Sequence, residues 1–283
     1  MSAPFQLLDD KSAPVAASVA RAYGLRPYQA EANDGIAKAW EDGITAQLVC
    51  FATGAGKTIV FVTRAKLDAQ AGMRTLILAH TDELVDQAID KAEKAVGLKP
   101  EKEKANRYAS RFAKVVVGSV QTMSGDMRLS SWPKDHFARV IVDECHRSLA
   151  VSYQKILKHF MSGGALVLGV TATSDRGDKK ALGDFYQRVT YDYGLLRAVR
   201  DGWLVRPLVK TMPISIDLRG VKTKQGPDGA DLDRTEVGKR LVPFMAAIAG
   251  AIKAEAGAKR ILIFMPSVET AQIMSDALNA VQI

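Results

Sequence analysis

The stretch from Leu48 to Phe61, LVCFATGAGKTIVF, constrains the fold of this chain more than any other. Its apolar, β-branched start predicts a buried strand over 46–52, and the chain from Lys57 onward can continue as a helix. Between them, Gly54 and Gly56 allow a tight turn and a close approach of the backbone to an anion. Such a loop points several backbone N–H groups at one spot beside the positive end of a helix. The stretch therefore predicts a phosphate cradle, although an ordinary strand–turn–helix would also explain it taken alone.

Two side chains at the end of this loop suit a bound nucleotide. The ammonium group of Lys57 would reach the outer phosphates, and the Thr58 hydroxyl would hold a Mg²⁺ ion. The strict form of the pattern asks for glycine at a position where this chain has Phe51. The predicted ATP-binding loop comprises Thr53, Gly54, Ala55, Gly56, Lys57 and Thr58.

Apolar runs and helical segments alternate along the first part of the chain. The apolar runs lie at 75–79, 114–117, 139–142 and 165–170, and a helical pattern covers 81–96. Alternation of this kind indicates a parallel sheet covered by helices on both faces. The predicted fold class is therefore α/β.

A second kind of organisation begins near residue 208. The segment 219–233 is rich in glycine, proline and charge, and it predicts a linker or long surface loop. We therefore predict a first domain over 1–208 and a shorter second domain over 209–283. The second is expected to contain a helix over 234–256, a strand over 260–264 and a helix over 268–281, which is too little for a full sheet.

The charge of the chain favours a polyanionic partner such as nucleic acid, because its formal net charge is +8. The segment 99–114 carries six Lys/Arg residues against two Glu. It is either a solvated helix or loop, or a strip that touches a phosphate backbone.

The cysteine content and the hydropathy of the chain indicate the cellular compartment in which we expect the protein. Only two cysteines occur, which argues against a disulfide scaffold and fits a reducing environment. No segment approaches the roughly 18 uninterrupted apolar residues of a membrane span, and the N-terminus lacks the basic start of a signal peptide. We expect a cytoplasmic protein with no membrane partner.

The segment RVIVDECH, 139–146, provides a partner for the phosphate loop. Placing two carboxylates at the end of a buried strand costs folding free energy, so such a pair is expected where a cation binds or where a reaction needs the charge. Asp143 could hold Mg²⁺ through a water molecule, and Glu144 could polarise the water that attacks the γ-phosphate. In an open α/β sheet, ligands bind at the carboxyl ends of the strands. The predicted catalytic residues are Glu144, Lys57 and Asp143, with ATP and Mg²⁺ as cofactors.

These motifs, in this order, resemble the motor core of superfamily 2 helicases. DECH at 143–146 follows ATGAGKT, and the resemblance runs from about residue 24 to the C-terminus. It is nearest to DECH-box members such as restriction-enzyme motor subunits and DNA repair translocases. The resemblance implies a RecA-like P-loop domain, followed by the beginning of a second RecA-like domain.

The resemblance also implies roles for residues outside the phosphate loop. The segment LRPYQ is similar to the part of the family that reads adenine, which implies that Gln29 bonds the base edge and that Arg26 packs near it. The segment TAT resembles the motif that couples nucleotide state to domain movement, so Thr171 and Thr173 are expected to respond to a γ-phosphate signal relayed by His146.

Two further segments, LAHTDEL and VGSVQTM, resemble the strand ends that hold the nucleic-acid backbone in the family. Read alone, such residues are as readily explained as caps and turns. The resemblance implies backbone contacts from His80, Thr81, Ser119, Gln121 and Thr122.

The sequence departs from the family in two respects. Ser174 stands where the family usually has proline, and the family's late arginines, which reach the γ-phosphate, are not among these 283 residues. We therefore expect ATP binding with weak turnover, the arginine being supplied by a partner chain or a further region. DNA is favoured over RNA as the track. The alternatives are a nucleotide- and nucleic-acid-binding module with little turnover, an RNA helicase, or an unrelated phosphate-loop ATPase.

Overall fold

The computed structural model describes residues 22–172, 179–211, 214–226, 229–256 and 259–281. The chain divides into two compact units, with the boundary between Arg206 and Pro207. Among the described residues, no helix combines the length and apolar character needed to cross a membrane.

The first unit is a seven-stranded sheet with helices on both of its faces. Its strands are β1 (Ala46–Phe51), β2 (Thr75–Ala79), β3 (Glu101–Glu103), β4 (Val115–Ser119), β5 (Arg139–Asp143), β6 (Leu166–Thr171) and β7 (Arg188–Tyr193). Its helices are α1 (Pro27–Glu41), α2 (Lys57–Gln70), α3 (Asp82–Val96), α4 (Val120–Met123), α5 (Asp126–Ser130), α6 (Val151–Met161), α7 (Lys179–Phe185) and α8 (Leu195–Arg200), with a 3₁₀ turn at Cys145–Arg147.

All neighbouring strands in this sheet are parallel, in the order β3-β4-β2-β5-β6-β1-β7. The predicted α/β class, with a parallel sheet covered on both faces, is therefore confirmed. The register aligns the strand ends, since Cys50 lies opposite Thr171 and Asp143 lies opposite Val170. The loops that follow these strands consequently share one edge of the sheet, which we call the carboxyl edge.

The core consists of two apolar layers, one on each face of the sheet. Along β1, Val49 and Phe51 belong to the layer beneath α1, α2 and α3, whereas Leu48 and Cys50 belong to the layer beneath α6. Side chains alternate in this way because successive residues of a strand point to opposite faces. A strand buried on both faces is largely apolar, and β1 accordingly has one polar residue, the buried Gln47, among its six.

Two strands at the edges of the sheet were not anticipated. The charged segment 99–114, expected to be a helix or loop, contributes β3, which pairs in parallel with β4. Its Glu103 is buried, and the carboxylate forms an ion pair with Arg128 and accepts a hydrogen bond from the Ala109 N–H at 2.6 Å. At the other edge, β7 pairs with β1.

The second unit comprises a hairpin of β8 (Thr223–Gly226) and β9 (Gly229–Leu232), and the helices α9 (Arg234–Leu241), α10 (Met245–Ala256) and α11 (Val268–Ala280), with a 3₁₀ turn at Val242–Phe244. Its small core is formed by Met245, Ala249 and Met274.

Three predictions for the second unit are wrong in detail. The segment 219–233 is largely a β-hairpin, and the helix expected over 234–256 is broken by the 3₁₀ turn that contains Pro243. A proline inside a helix removes one hydrogen bond and clashes with the preceding turn. No strand forms over 260–264, because the described residues of this unit provide no neighbouring strand for it, and Phe264 is exposed.

Candidate functional site

The glycine loop joins β1 to α2 at the carboxyl edge. Gly54 and Gly56 both adopt the left-handed conformation, with φ of 86° and 84°. A Cβ at Gly56 would lie 2.6 Å from Nε2 of Gln29, so a side chain at this position would displace the glutamine. Because the first N–H groups of a helix have no partner within it, the start of α2 offers donors to a ligand bound in this loop.

Two residues of α1 form hydrogen bonds to the loop. The Tyr28 hydroxyl donates to the Ala55 carbonyl at 2.8 Å, and Gln29 Nε2 donates to the same carbonyl at 3.3 Å. The Tyr28 ring stacks on Tyr193 at 3.9 Å between centroids, which ties the loop to β7. The loop is therefore held by contacts that are distant in sequence.

The two residues predicted to lie near adenine do lie beside the loop, but they are engaged with the protein. Gln29 Oε1 accepts from the Arg26 N–H at 3.0 Å. The Arg26 guanidinium donates to the Tyr28 hydroxyl at 3.0 Å and lies 4.7 Å from the ring centroid of Trp203. Trp203 was not anticipated as part of this group.

The acidic pair faces the loop across the carboxyl edge. Lys57 Nζ lies 2.5 Å from Glu144 Oε1, and His146 Nδ1 lies 3.4 Å from the other oxygen of the same carboxylate. Glu144 has a φ of 50°, a left-handed conformation that costs a non-glycine residue roughly 1–3 kcal/mol and is common at functional sites. This conformation turns the chain sharply at the end of β5.

Asp143 is buried, and the groups around it shift the pKa of its carboxyl. Burial raises the pKa of the Asp143 carboxyl, and the adjacent Glu144 raises it further, whereas Lys57 opposes the shift. The Glu144 N–H donates to Asp143 Oδ1 at 3.0 Å. A nearby divalent cation would favour the ionised form of this carboxyl.

One lysine near the loop was missed. Nζ of Lys91, on α3, lies 3.5 Å from the Thr58 hydroxyl, and its charge also lowers the pKa of Asp143. No motif marks this lysine, because the contact exists only once α2 and α3 pack side by side.

The predicted coupling residues lie at the same edge. His146 is in the 3₁₀ turn after Glu144, and Thr171 ends β6 and is fully buried next to β1. Thr173 lies outside the described residues. Cys50 and Cys145 are buried free thiols, and burial raises the pKa of Cys50 to about 12.

The residues predicted to contact nucleic acid come together farther along the carboxyl edge. They lie at or just after the ends of β2 and β4, which are neighbouring strands, and Gln121 Nε2 donates to the His80 carbonyl at 2.9 Å. The hydroxyls of Thr81 and Ser119 accept from the N–H groups of Leu84 and Thr122, each at 3.3 Å, so both residues cap helices. One cleft, hereafter the His80 cleft, is lined by His80, Thr81, Asp82, Glu83, Lys104, Ala105, Ser119, Gln121 and Thr122.

The imidazole in this cleft is biased towards its neutral form. Burial lowers the pKa of His80, and the positive charge of Arg147 lowers it further. The Thr122 hydroxyl accepts from the Ala105 N–H at 3.0 Å, which fastens the charged segment 99–114 to the cleft.

Residues 22–176, more than half of the chain, match the family model described as the type III restriction enzyme, res subunit. This chain belongs to that family. It is a member of the superfamily 2 helicases, as the motif order implied.

Named relatives agree with this assignment. The chain is 32% identical over 212 residues to the Saccharomyces cerevisiae protein IRC3, whose name describes an ATP-dependent helicase, covering 70% of this chain and 30% of the relative. It is 28% identical over 210 residues to the Escherichia coli type I restriction enzyme EcoAI endonuclease subunit, covering 71% of this chain and 26% of the relative. The chain thus spans about a third or less of the length of these curated relatives.

A solved structure shares the fold. A fragment of an HsdR subunit of a type I restriction enzyme from Vibrio vulnificus YJ016 superposes with a TM-score of 0.63 at 22% identity, covering 90% of this chain and 45% of the other. At this level of identity the likeness concerns the fold alone.

Proposed function

We propose that this chain is the core of an ATP-dependent helicase or translocase, which couples the binding and hydrolysis of ATP to movement on nucleic acid. The observation that carries the proposal is the approach of Lys57 to Glu144 at 2.5 Å, since it brings the phosphate loop and the acidic turn face to face. The relatives' names support the use of ATP.

The residues present fit Mg²⁺ bound together with a nucleotide. Among the described residues, no group of three His, Cys, Asp or Glu side chains is placed to hold a metal by itself. Mg²⁺ usually needs no such cage, because it is bound through one or two carboxylates together with substrate phosphates and water. Thr58 and the buried Asp143 are the residues that would hold it, and the ion would neutralise charge on the transferred phosphoryl group.

Lys57 and Glu144 would have separate tasks in hydrolysis. Lys57 would leave the Glu144 carboxylate to neutralise the outer phosphates, and the freed carboxylate would orient the attacking water. Their present pairing means that one movement of the lysine side chain prepares both groups. The backbone N–H groups of the loop from Thr53 to Thr58 would bind the remaining phosphate oxygens.

The base would lie beside α1. Gln29 would exchange its bonds with Arg26 and Ala55 for the edge of adenine, and Arg26 would remain near Trp203. Because Gln29 also touches the phosphate loop, base recognition and loop position are mechanically connected.

The His80 cleft would hold the sugar-phosphate backbone of the track. Contacts to phosphate fix position without reading sequence, so little sequence specificity is expected. We favour DNA because the chain belongs to a restriction-enzyme family. An RNA track is the alternative, since one relative, a mimivirus protein 32% identical over 161 residues, is named as an ATP-dependent RNA helicase.

Coupling between the two sites would pass along the carboxyl edge. His146 contacts Glu144, and Thr171 ends β6, the strand between β1 and β5. Both residues therefore lie where loss of the γ-phosphate would change the contacts of the neighbouring side chains. Thr173 is proposed to act with Thr171. A partner chain or a further region would supply the arginine that completes the site. We keep the cytoplasm as the proposed compartment, although the Schizosaccharomyces pombe relative is named as mitochondrial.

The test is the rate of ATP hydrolysis with no nucleic acid, with duplex DNA and with RNA. Stimulation by DNA supports the proposal, and stimulation by RNA alone assigns an RNA track. Binding of ATP and DNA without turnover would indicate a binding module. Turnover that ignores both nucleic acids would indicate an unrelated ATPase and would overturn the proposal.

A further inference from the structure

The charged segment 99–114 presents two aromatic side chains to solvent. Tyr108 is 73% exposed and Phe112 is 86% exposed, and Met127 of the adjacent helix α5 is also exposed. Exposed side chains of this size scattered singly need no explanation, but a group rimmed by charge marks a binding surface. We call the group Tyr108, Phe112 and Met127 the aromatic surface.

The aromatic surface stands on a fixed base. The Arg128 guanidinium lies 3.7 Å from the ring centroid of Tyr108 and forms an ion pair with the buried Glu103. Arg111, next to Phe112, lies 3.4 Å from the ring centroid of Trp132 and donates to Ser131 Oγ at 2.8 Å. Tyr108 keeps most of its area exposed although a cation covers part of it, so the ring is positioned without being buried.

The aromatic surface adjoins the His80 cleft. Ala105 and Lys104 line that cleft, and Tyr108 follows three residues after Ala105. Tyr108 lines a neighbouring depression with Met127 and Arg128. A strand held in the His80 cleft and continuing along this segment would therefore reach the rings.

Charge decides which class of partner fits. The segment carries six Lys/Arg residues against two Glu. Both glutamates are used internally, since Glu101 accepts from the Ser110 N–H at 2.6 Å and Glu103 accepts from Ala109 and Arg128. Lys102 and Lys104 form ion pairs with aspartates of α3, so the excess of positive charge rests on the other four Lys/Arg residues of the segment. Positive charge interleaved with exposed aromatic rings is the combination that binds single-stranded nucleic acid.

We infer that the aromatic surface is a stacking site for unpaired bases of the nucleic-acid strand whose backbone lies in the His80 cleft. Bases would stack on Tyr108 and Phe112, and the positive charge of the exposed Arg107 would face the phosphates. The inference rests on the proposed nucleic-acid motor function and adds to it: the protein would bind bases as well as backbone, without preference for sequence.

The test compares a thymidine oligonucleotide with an abasic oligonucleotide of the same length and charge, by fluorescence anisotropy. Tyr108→Ala and Phe112→Ala should each weaken binding to the thymidine strand roughly 5- to 100-fold, because stacking on an aromatic ring is lost. Binding to the abasic strand should change little. The control is Leu196→Ala, on α8 near the opposite edge of the sheet, which removes a side chain that is 81% exposed.

The variants also separate the inference from a folding defect and from the proposed function. Phe112→Trp retains a stacking face and should restore the affinity that Phe112→Ala loses. Equal losses on both strands would mean contact with the backbone, and unchanged affinity in both alanine variants would mean that the rings do not contact the strand. Either result overturns the stacking site and leaves the motor proposal standing. If the wild-type chain binds neither strand nor duplex, both fail.

Discussion

The two halves of the carboxyl edge are built in opposite ways. Around the phosphate loop, side chains contact one another at close range: Lys57 with Glu144, and Arg26 with the Tyr28 hydroxyl. Around the His80 cleft, residues such as Thr81 and Gln121 are exposed and bond chiefly to the backbone of the protein. The first half positions functional groups, whereas the second shapes a surface.

The difference follows from what each half would bind. Catalysis on one phosphoryl group requires charges placed within a fraction of an ångström, so the side chains must be supported from several directions. A polymer backbone repeats the same charge along its length, and a shallow cleft with helix caps is enough to follow it. Substitutions in the first half should therefore have larger effects, and effects on chemistry rather than on binding alone.

The largest expected effect is that of Glu144→Gln. It keeps the size of the side chain but removes the carboxylate, so turnover should fall by about 10²–10⁴-fold. Nucleotide affinity should be equal or higher, because Lys57 would lose its competing ion pair. Single-turnover hydrolysis and a binding titration measure the two quantities separately. A variant that loses affinity together with turnover would show that the carboxylate acts in binding.

Asp143→Asn should affect Mg²⁺ more than chemistry. Groups that hold a metal through water typically contribute 10–100-fold to its affinity, so Mg²⁺-dependent ATP binding should weaken by about that factor. The titration is repeated in EDTA, where wild type and variant should agree. A difference that persists without a divalent cation would mean that Asp143 supports the fold of the site and not the metal.

Two glycines test how tightly the loop is held. Gly56 and Gly72 have nearly equal φ, 84° and 83°, but only Gly56 has a neighbour that a Cβ would strike. Alanine at either should cost about 1 kcal/mol of unfolding free energy through the backbone. Gly56→Ala should cost a further 1–2 kcal/mol, roughly, through displacement of Gln29. Urea unfolding measures the free energy of unfolding of both variants. Equal losses would show that Gln29 moves aside at little cost and that the loop is not tightly held.

The smallest expected effect belongs to the open half. Gln121→Ala removes a hydrogen bond to the His80 carbonyl, and such a bond contributes about 0.5–1.5 kcal/mol. DNA affinity should fall a few-fold, while ATP affinity in the absence of DNA stays the same. A loss of ATP affinity as well would break the comparison between the halves, since it would show that the His80 cleft supports the phosphate loop.

Sequence reasoning located the strand ends and turns that short motifs mark. The glycine loop at 53–58 and the DECH turn can be found from sequence, because each needs particular residue types in a fixed order. The loop needs residues that allow a tight turn, and both motifs stand at the ends of buried strands. The strands β1, β2, β4, β5 and β6 are buried on both faces, so each reads as an apolar run. The structure places the predicted loop and carboxylates together, and their roles remain proposals.

The remaining features depend on contacts between distant residues. β3 has three residues, two of them Glu, and Glu103 is buried only because Arg128 reaches it. Lys91 meets Thr58 across two packed helices, which no motif records. β7 carries a signal in the alternation of Val189, Tyr191 and Tyr193, which the predictions from sequence leave unused. The run at 260–264 shows the converse, since an apolar pattern without a neighbouring strand does not form one.

The central claim is that the loop from Thr53 to Thr58 binds the phosphates of ATP, and Lys57→Ala tests it most directly. The measurement is the dissociation constant of Mg·ATP for wild type, for Lys57→Ala and for Lys66→Ala, a lysine on the same helix whose Nζ contacts the Gly97 carbonyl. Loss of a charge-assisted bond should weaken binding by roughly 10- to 100-fold in Lys57→Ala and leave Lys66→Ala like wild type. Unchanged affinity in a folded Lys57→Ala variant would contradict the assignment of the phosphate site.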